Sequence, residues 1–465
     1  MRSTLARPLS AAVAGLIALA PVAITPSAYA DPVPQAAGWE TTGSLAVARE
    51  RAAAVLLGDG SVMMMGGRNC GSFGCVFPTR VERYDPTRGT WSFAGHLSTG
   101  RSALRAVVLG NGKVLAIGGL DTFDGSLGGA SRNADLYDPA TNTWSSGGTF
   151  DAPMDSGFQA VLLDSGKVLV LGNTLHRDTV IYNPGTNSWS DGPDQLTGGF
   201  APTATLLPNG KVLVAGGLSN LGNVLAATEL YDPASNTFSP GPAMFDTRWQ
   251  AQAAPMPDGR VLIVGGLGPG GQCLGGSEVY NPASNTFGDH KAGLPPREEA
   301  TATPILTNNG TMLVAGGNCS LHSAGLYHPG VDAWQTTPGP NDPRRLHPMV
   351  RLHSGLVLAA GGQDFSGNLA SAELYTPRTS PTAYATPNPV RQGSALTVAG
   401  SGFLPGETVR LSYRGTAFAT PVADAAGRFS VSLNTGAVAP RAYIDRAEGQ
   451  RSGRVAWFSA PVVSR

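Results

Sequence analysis

The chain has 465 residues, 62 Gly, 36 Pro, only 14% charged residues and a formal net charge of zero. Such a turn-dense, charge-poor composition suits an all-β protein and excludes the dense basic stripe of a nucleic-acid binder. The balance is uneven along the chain: from Ser380 onward nine Arg face four acids, about +5, whereas residues 31–379 hold 21 basic and 28 acidic groups, about −7.

In chain order, residues 1–30 read as a secretory leader. Arg2 and Arg7 give a positive start, the run from Leu9 to Ile24 is apolar but interrupted by Pro21, and Ala28-Tyr29-Ala30 is a small-x-small cleavage site. Cleavage after Ala30 predicts a secreted, extracellular protein with no stable membrane insertion. Four cysteines agree with export. Cys70 and Cys75 share one loop, and Cys273 and Cys319 occupy corresponding loops of adjacent repeats. Disulfides Cys70–Cys75 and Cys273–Cys319 are therefore expected.

The body of the chain is a repeat. A turn pair ending in Gly, a short apolar run and a further Gly recur seven times, with first glycines Gly60, Gly112, Gly166, Gly210, Gly259, Gly310 and Gly355. Six residues after each stands Gly66, Gly118, Gly172, Gly216, Gly265, Gly316 or Gly361, a mean period of about 49. Tyr-x-Pro recurs at Tyr84, Tyr137, Tyr182, Tyr231, Tyr280, Tyr327 and Tyr375, and an aromatic follows the first six by seven residues. The turn pairs supply the positive φ that two-residue hairpins need, and continuous apolar runs such as Val261-Leu262-Ile263-Val264 imply a strand buried on both faces. A period near 50 with Gly-Gly, Tyr and Trp marks resembles the kelch repeat, which builds β-propellers. The last repeat lacks its outer aromatic, while Trp39 precedes the first repeat unpaired. The N-terminal segment is expected to complete the seventh blade, leaving no open sheet edge.

The repeats end at Tyr375-Thr376-Pro377. Residues 379–392 read as a linker, and alternating runs such as Val409-Arg-Leu411-Ser-Tyr413 predict an immunoglobulin-like β-sandwich over 393–465. The expected architecture is all-β: a leader over 1–30, a seven-bladed kelch propeller over 31–378, the linker and the sandwich.

Within each repeat the four strands are lettered A to D in chain order. The Gly-to-Tyr offsets are 18, 19, 10, 15, 15, 11 and 14 residues, so the length variation lies in the B–C loops, on the face shared with the D–A connections. Varied loops on a rigid scaffold carry binding sites. That face predicts ligand-contacting candidates at Asp121, Phe123, His176, Arg177, His322 and Asp364 in the loops, and at Arg49, Arg51, Arg101, Arg248, Arg344 and His347 at the A-strand starts. Arg49, Arg101, Arg248 and Arg344 each precede their Gly frame by 17 residues, placing them equivalently round the channel mouth, either for bidentate contact with an anion or for bonds to loop carbonyls. The strand-D aromatics and the Tyr-x-Pro tyrosines read as core.

Seven kelch blades, export and a C-terminal sandwich resemble the galactose oxidase and glyoxal oxidase group. That resemblance implies one copper held by two Tyr and two His, one Tyr being cross-linked to Cys. The seventh-blade A strand there reads Arg-x-Tyr-His-Ser; here it is Arg344-Arg345-Leu346-His347-Pro348. The position of the other Tyr holds Arg51, and no His follows His353. The expectation is therefore a monomeric, non-catalytic binding protein with no cofactor, recognising an extracellular glycan or protein. A diverged copper oxidase or other carbohydrate-active enzyme is the alternative.

Overall fold

An Asp-Gly, Asn-Gly or Ser-Gly pair turns each A strand back into its B strand. Gly60, at φ 86°, adopts a conformation that costs a residue with a Cβ energy. The computed structural model describes residues 38–465 apart from 73, 121–128, 155, 173–176, 298–302, 308–309, 320, 330–331, 378–381, 387–389, 392–394, 404–405, 414–415, 425–427, 435–443, 451–454, 460–461 and 464–465. The expected leader lies outside the described residues.

Seven four-stranded antiparallel sheets form the propeller. Blade 1 runs from its inner strand A (Ala53–Leu56) through B (Val62–Met65) and C (Arg80–Asp85) to its outer strand D (Thr90–His96). Blades 2 to 6 repeat that order over 105–154, 159–191, 203–240, 252–287 and 305–338. Blade 7 takes A, B and C from Met349–Arg351, Val357–Ala360 and Ala372–Thr376, and its outer strand is Gly38–Thr42. Trp39 lies opposite Tyr375 in that pairing, as expected from the unpaired aromatic.

The repeat's marks are explained by contacts between blades. Every B strand is buried along its length, and the core is assembled between neighbours: Met63 and Met65 of blade 1 pack with Val114, Ala116 and Tyr137 of blade 2. Each outer aromatic tilts against its own Tyr, as with Tyr84 and Trp91 at 5.1 Å. Several then donate their indole N–H backwards: Trp144 Nε1 reaches the Ala94 carbonyl at 3.0 Å and Trp189 Nε1 the Gly147 carbonyl at 2.8 Å. Trp39 follows the rule, donating to the Pro338 carbonyl at 2.9 Å and packing with Leu313 and Leu326 of blade 6. Trp91 Nε1 donates to the Gly43 carbonyl at 2.8 Å, so the N-terminal segment is held from both sides of the ring seam. The hydroxyls of Tyr137, Tyr182, Tyr231 and Tyr280 bond the Asn five residues on, as in Tyr231 to Asn236 at 2.8 Å, which fixes the C–D turn.

Beyond the propeller, one sheet joins Thr382–Thr386, Ala395–Ser401 and Phe429–Asn434. A second joins Thr416–Ala419, Val409–Tyr413, Ile444–Gly449 and Val455–Ser459. Leu396, Val398 and Phe429 of the first share a core with Val409, Leu411 and Ala447 of the second. The linker reading needs correction: Thr382–Thr386, assigned to it, pairs with Ala395–Ser401. Its Thr-Ala-Tyr-Ala-Thr alternation has strand periodicity, which the surrounding prolines obscured.

Closure by the N-terminal strand predicts that deleting residues 31–45 collapses the propeller. The milder Trp39→Ala change should cost about 3–5 kcal/mol in denaturant unfolding. An unchanged unfolding midpoint in either variant would refute closure.

Candidate functional site

The A-strand arginines are joined to strand-C carboxylates. Arg49 donates through Nη2 to Glu82 at 2.6 Å, Arg101 to Asp135 at 2.6 Å, Arg248 to Glu278 at 2.8 Å and Arg344 to Glu373 at 2.6 Å. All four guanidiniums have 0% exposure. The constant interval of 17 residues has a direct cause: Nη1 of Arg49, Arg248 and Arg344 donates to the carbonyls of Gly66, Gly265 and Gly361. The second glycine of each pair then reaches the next blade. Gly67 N–H donates to the Arg101 carbonyl at 2.8 Å, Gly217 to Arg248 at 2.9 Å and, across the seam, Gly362 to Arg49 at 2.9 Å. A Cβ at Gly216 would lie 2.2 Å from the Arg248 carbonyl oxygen, so the approach requires glycine. The carboxylates complete the node by accepting D–A loop amides, as Glu278 does from Phe245 and Asp246.

Two blades lack one partner. Arg297 finds no acid at its node; it donates to the Gly316 carbonyl and the Ser323 hydroxyl, and burial pushes its pKa down to about 10. Glu229 faces no Arg and instead accepts the Leu196 and Thr197 amides and the Thr197 hydroxyl.

Two residues beyond the arginine frame the backbone turns left-handed at Arg51, Ala103, Ala201, Gln250 and Leu346, with φ of 53–56°. Such residues need support. They support one another: Arg51 N–H donates to the Leu346 carbonyl, Ala103 to Arg51 and Gln250 to Ala201, at 2.8–3.0 Å. These residues collar the central channel. A cavity of about 340 Å³ follows, walled by the small residues of the A strands, with Arg51, Arg105, Ser156, Gln159, Thr203, Gln252 and Thr303 as its polar groups.

At the B–C and D–A rim both expected disulfides are present, Cys70–Cys75 and Cys273–Cys319. The first loop is also tied to blade 7, where Asn368 Oδ1 accepts the Cys70 amide at 2.7 Å. Large apolar side chains stand out from this rim: Leu221 is 82% exposed, Phe245 77% and Phe365 88%.

The structure distributes the sequence candidates unevenly. Arg49, Arg101, Arg248 and Arg344 do not present a charged mouth. Of the two roles expected for them, contact with an external anion is corrected, because their Nη donors bond buried carboxylates and carbonyls inside the ring. His347 is also corrected: its ring is buried against Gly316, where a Cβ would come within 2.8 Å, and burial beside Arg344 pulls its pKa well below the usual histidine value. Asp364 accepts the Ser366 and Gly367 amides and caps its own hairpin. Arg177 and His322 are exposed on the rim, and Arg51 lines the channel. Asp121, Phe123 and His176 lie outside the described residues. Sequence reading missed Arg105. The signal was available: it stands 13 residues before Gly118, in the column of Ala53, Gln159, Thr203, Gln252 and Thr303, all of which face the channel.

Residues 101–150 and 200–245 match the family model of the Kelch motif. Among solved structures the fold is similar to a novel fungal alcohol oxidase of the AA5 family in complex with copper, at 13% identity and a TM-score of 0.55, covering 91% of this chain and 99% of that one. It is also similar to a protein named YjhT, at 14% identity and a TM-score of 0.46, covering 72% of this chain and 97% of the other. The chain is a kelch-repeat β-propeller protein. In fold it resembles the galactose oxidase superfamily.

The residues here do not fit that superfamily's copper-radical centre. The two collar positions that the sequence resemblance matches to Tyr ligands carry a guanidinium at Arg51 and an aliphatic chain at Leu346, neither of which ligates copper. His347, the remaining imidazole, is packed between glycines. Among the described residues no group of three or more His, Cys, Asp or Glu side chains is placed to hold a metal ion.

Arg248→Met is expected to cost about 3–5 kcal/mol, because the buried Glu278 loses its cation, and Glu278→Gln less, because Arg248 keeps Asp246 at 3.0 Å. Arg248→Met with Glu278→Leu should recover much of the loss; equal instability of single and double variants in urea unfolding would refute the pairing. His347 adds a pH dependence. Its folded pKa lies below its unfolded value near 6.5, so its contribution is present above that pH and lost as pH falls. Between about pH 6.5 and 5, stability should fall by up to about 1.4 kcal/mol per unit from this group, and His347→Leu should flatten that slope. Unfolding free energies measured across the range check it.

Proposed function

We propose that this chain is a secreted binding protein that recognises an extracellular glycan or protein through its B–C and D–A loop rim and catalyses no reaction. The observation that carries the reading is the exposure of Leu221, Phe245 and Phe365 on one face of the ring. Exposed large apolar groups on constrained loops are contact groups: ring faces stack on sugars or insert into a partner, and little ordering entropy is lost on binding. The disulfide-tied loops and a leader over residues 1–30 support an oxidising, extracellular setting.

The copper-bound alcohol oxidase that shares the fold suggests a diverged oxidase as the second reading. Stoichiometric copper in protein purified from the culture medium would favour it over the first.

The binding reading is tested with a glycan array and with candidate extracellular proteins, comparing wild type with the Leu221→Ser, Phe245→Ser, Phe365→Ser triple variant. At least a tenfold loss of affinity is expected, since losing on the order of 1.4 kcal/mol is tenfold. The melting temperature should be unchanged, because these side chains pack against little. Full affinity in the variant would remove the rim from the recognition surface.

A further inference from the structure

We infer that the central channel is a binding site for a small oxyanion, gripped by the Arg105 guanidinium with Arg51 beside it. This site lies inside the ring and does not depend on the rim reading above.

The five fully buried arginines of the propeller are each compensated. At four nodes burial is offset by a carboxylate, and at Arg297 by carbonyls and a hydroxyl. Arg105 has neither. Its guanidinium lies 5.6 Å from the centre of the Phe158 ring, and no acid among the described residues forms an ion pair with it. Burial and the like charge of Arg51 push its pKa down to about 10, which still leaves it fully charged at neutral pH. The Arg105 guanidinium, held in the channel without an acid among the described residues, is an arrangement that a bound anion would relieve.

The rest of the cavity suits such a guest. Its other polar groups are amides and hydroxyls, at Ser156, Gln159, Thr203, Gln252 and Thr303, and no carboxylate is among its described lining residues. Gln250 Oε1, at the collar, is buried and accepts no hydrogen bond. A hydroxyl-bearing anion could occupy it. A volume of about 340 Å³ admits a compact multi-atom ion and excludes a polymer. The planar guanidinium selects the two- or three-oxygen edge of a carboxylate, sulfate or phosphate over a halide.

Two acids in the neighbouring sequence, Glu298 and Glu299, lie outside the described residues and supply the rival explanation, an internal ion pair with Arg105. The experiment separates the two. Thermal shift and titration calorimetry are run on the full chain with sodium sulfate, phosphate, acetate and gluconate, each against sodium chloride at matched ionic strength. Wild type should show a saturable rise in melting temperature with at least one oxyanion at one-to-one stoichiometry. The salt acting at the lowest concentration tells an inorganic ion from an organic acid. Arg105→Met should melt, without ligand, at or above the wild-type temperature, and should bind at least about tenfold more weakly; Arg105→Lys, keeping charge without the fork, should fall between. A lower ligand-free melting temperature in Arg105→Met points to the internal ion pair and overturns the proposal. So does a response to oxyanions that survives in Arg105→Met, or the absence of any oxyanion response in wild type.

Discussion

The propeller depends on the buried guanidinium that joins three parts of a blade and, through its own carbonyl, the blade before it. Arg49 shows the whole arrangement: its side chain reaches Glu82 and the carbonyls of Gly66 and Arg80, while its backbone carbonyl receives the Gly362 amide. Burying an ion pair offers little net stability over an apolar pair of similar size. Its geometry is what an apolar pair lacks. A planar fork with directed donors sets the distance between strand A, strand C and the loop glycine within a few tenths of an ångström, and the glycine amide passes that constraint to the neighbour. Hydrophobic packing between blades supplies the driving force, and the nodes set its register.

Where a node is incomplete, the ring adapts locally. Glu229 is satisfied by loop amides and a threonine, and Arg297 by carbonyls and a serine. Each substitution keeps the buried polar group bonded without requiring the other partner, consistent with the cost of orphaning such a group. The same economy is absent at Arg105, which faces the channel and not a node. Among the described residues, the guanidinium without an acid partner is thus one that lines the channel.

The collar shows how one backbone arrangement accepts very different side chains. Inter-blade backbone bonds hold these residues left-handed whatever their side chain, so Arg51, Ala103, Ala201, Gln250 and Leu346 share one conformation. A position fixed by its backbone tolerates exchange of side chain. A guanidinium at Arg51 and an aliphatic chain at Leu346 therefore share one backbone conformation, which is why a shared fold does not carry a function with it.

Much was legible in the chain itself. Blade number, the strand order within a blade, the outer strand contributed by Trp39 and its neighbours, and both disulfides follow from patterns that recur at fixed intervals, because each mark acts on residues near it in sequence or at the same place in the next repeat. The strand at Thr382–Thr386 was hidden by flanking prolines, although its alternation was present. What the tertiary structure alone decided was the destination of long side chains. Arg49 and Arg51 are two residues apart, yet one is sealed on a carboxylate and the other lines the channel. Linear spacing places their backbones equally well, but a guanidinium can reach several ångströms in any direction. Which direction it takes is set by carboxylates and carbonyls brought close only when the ring has closed.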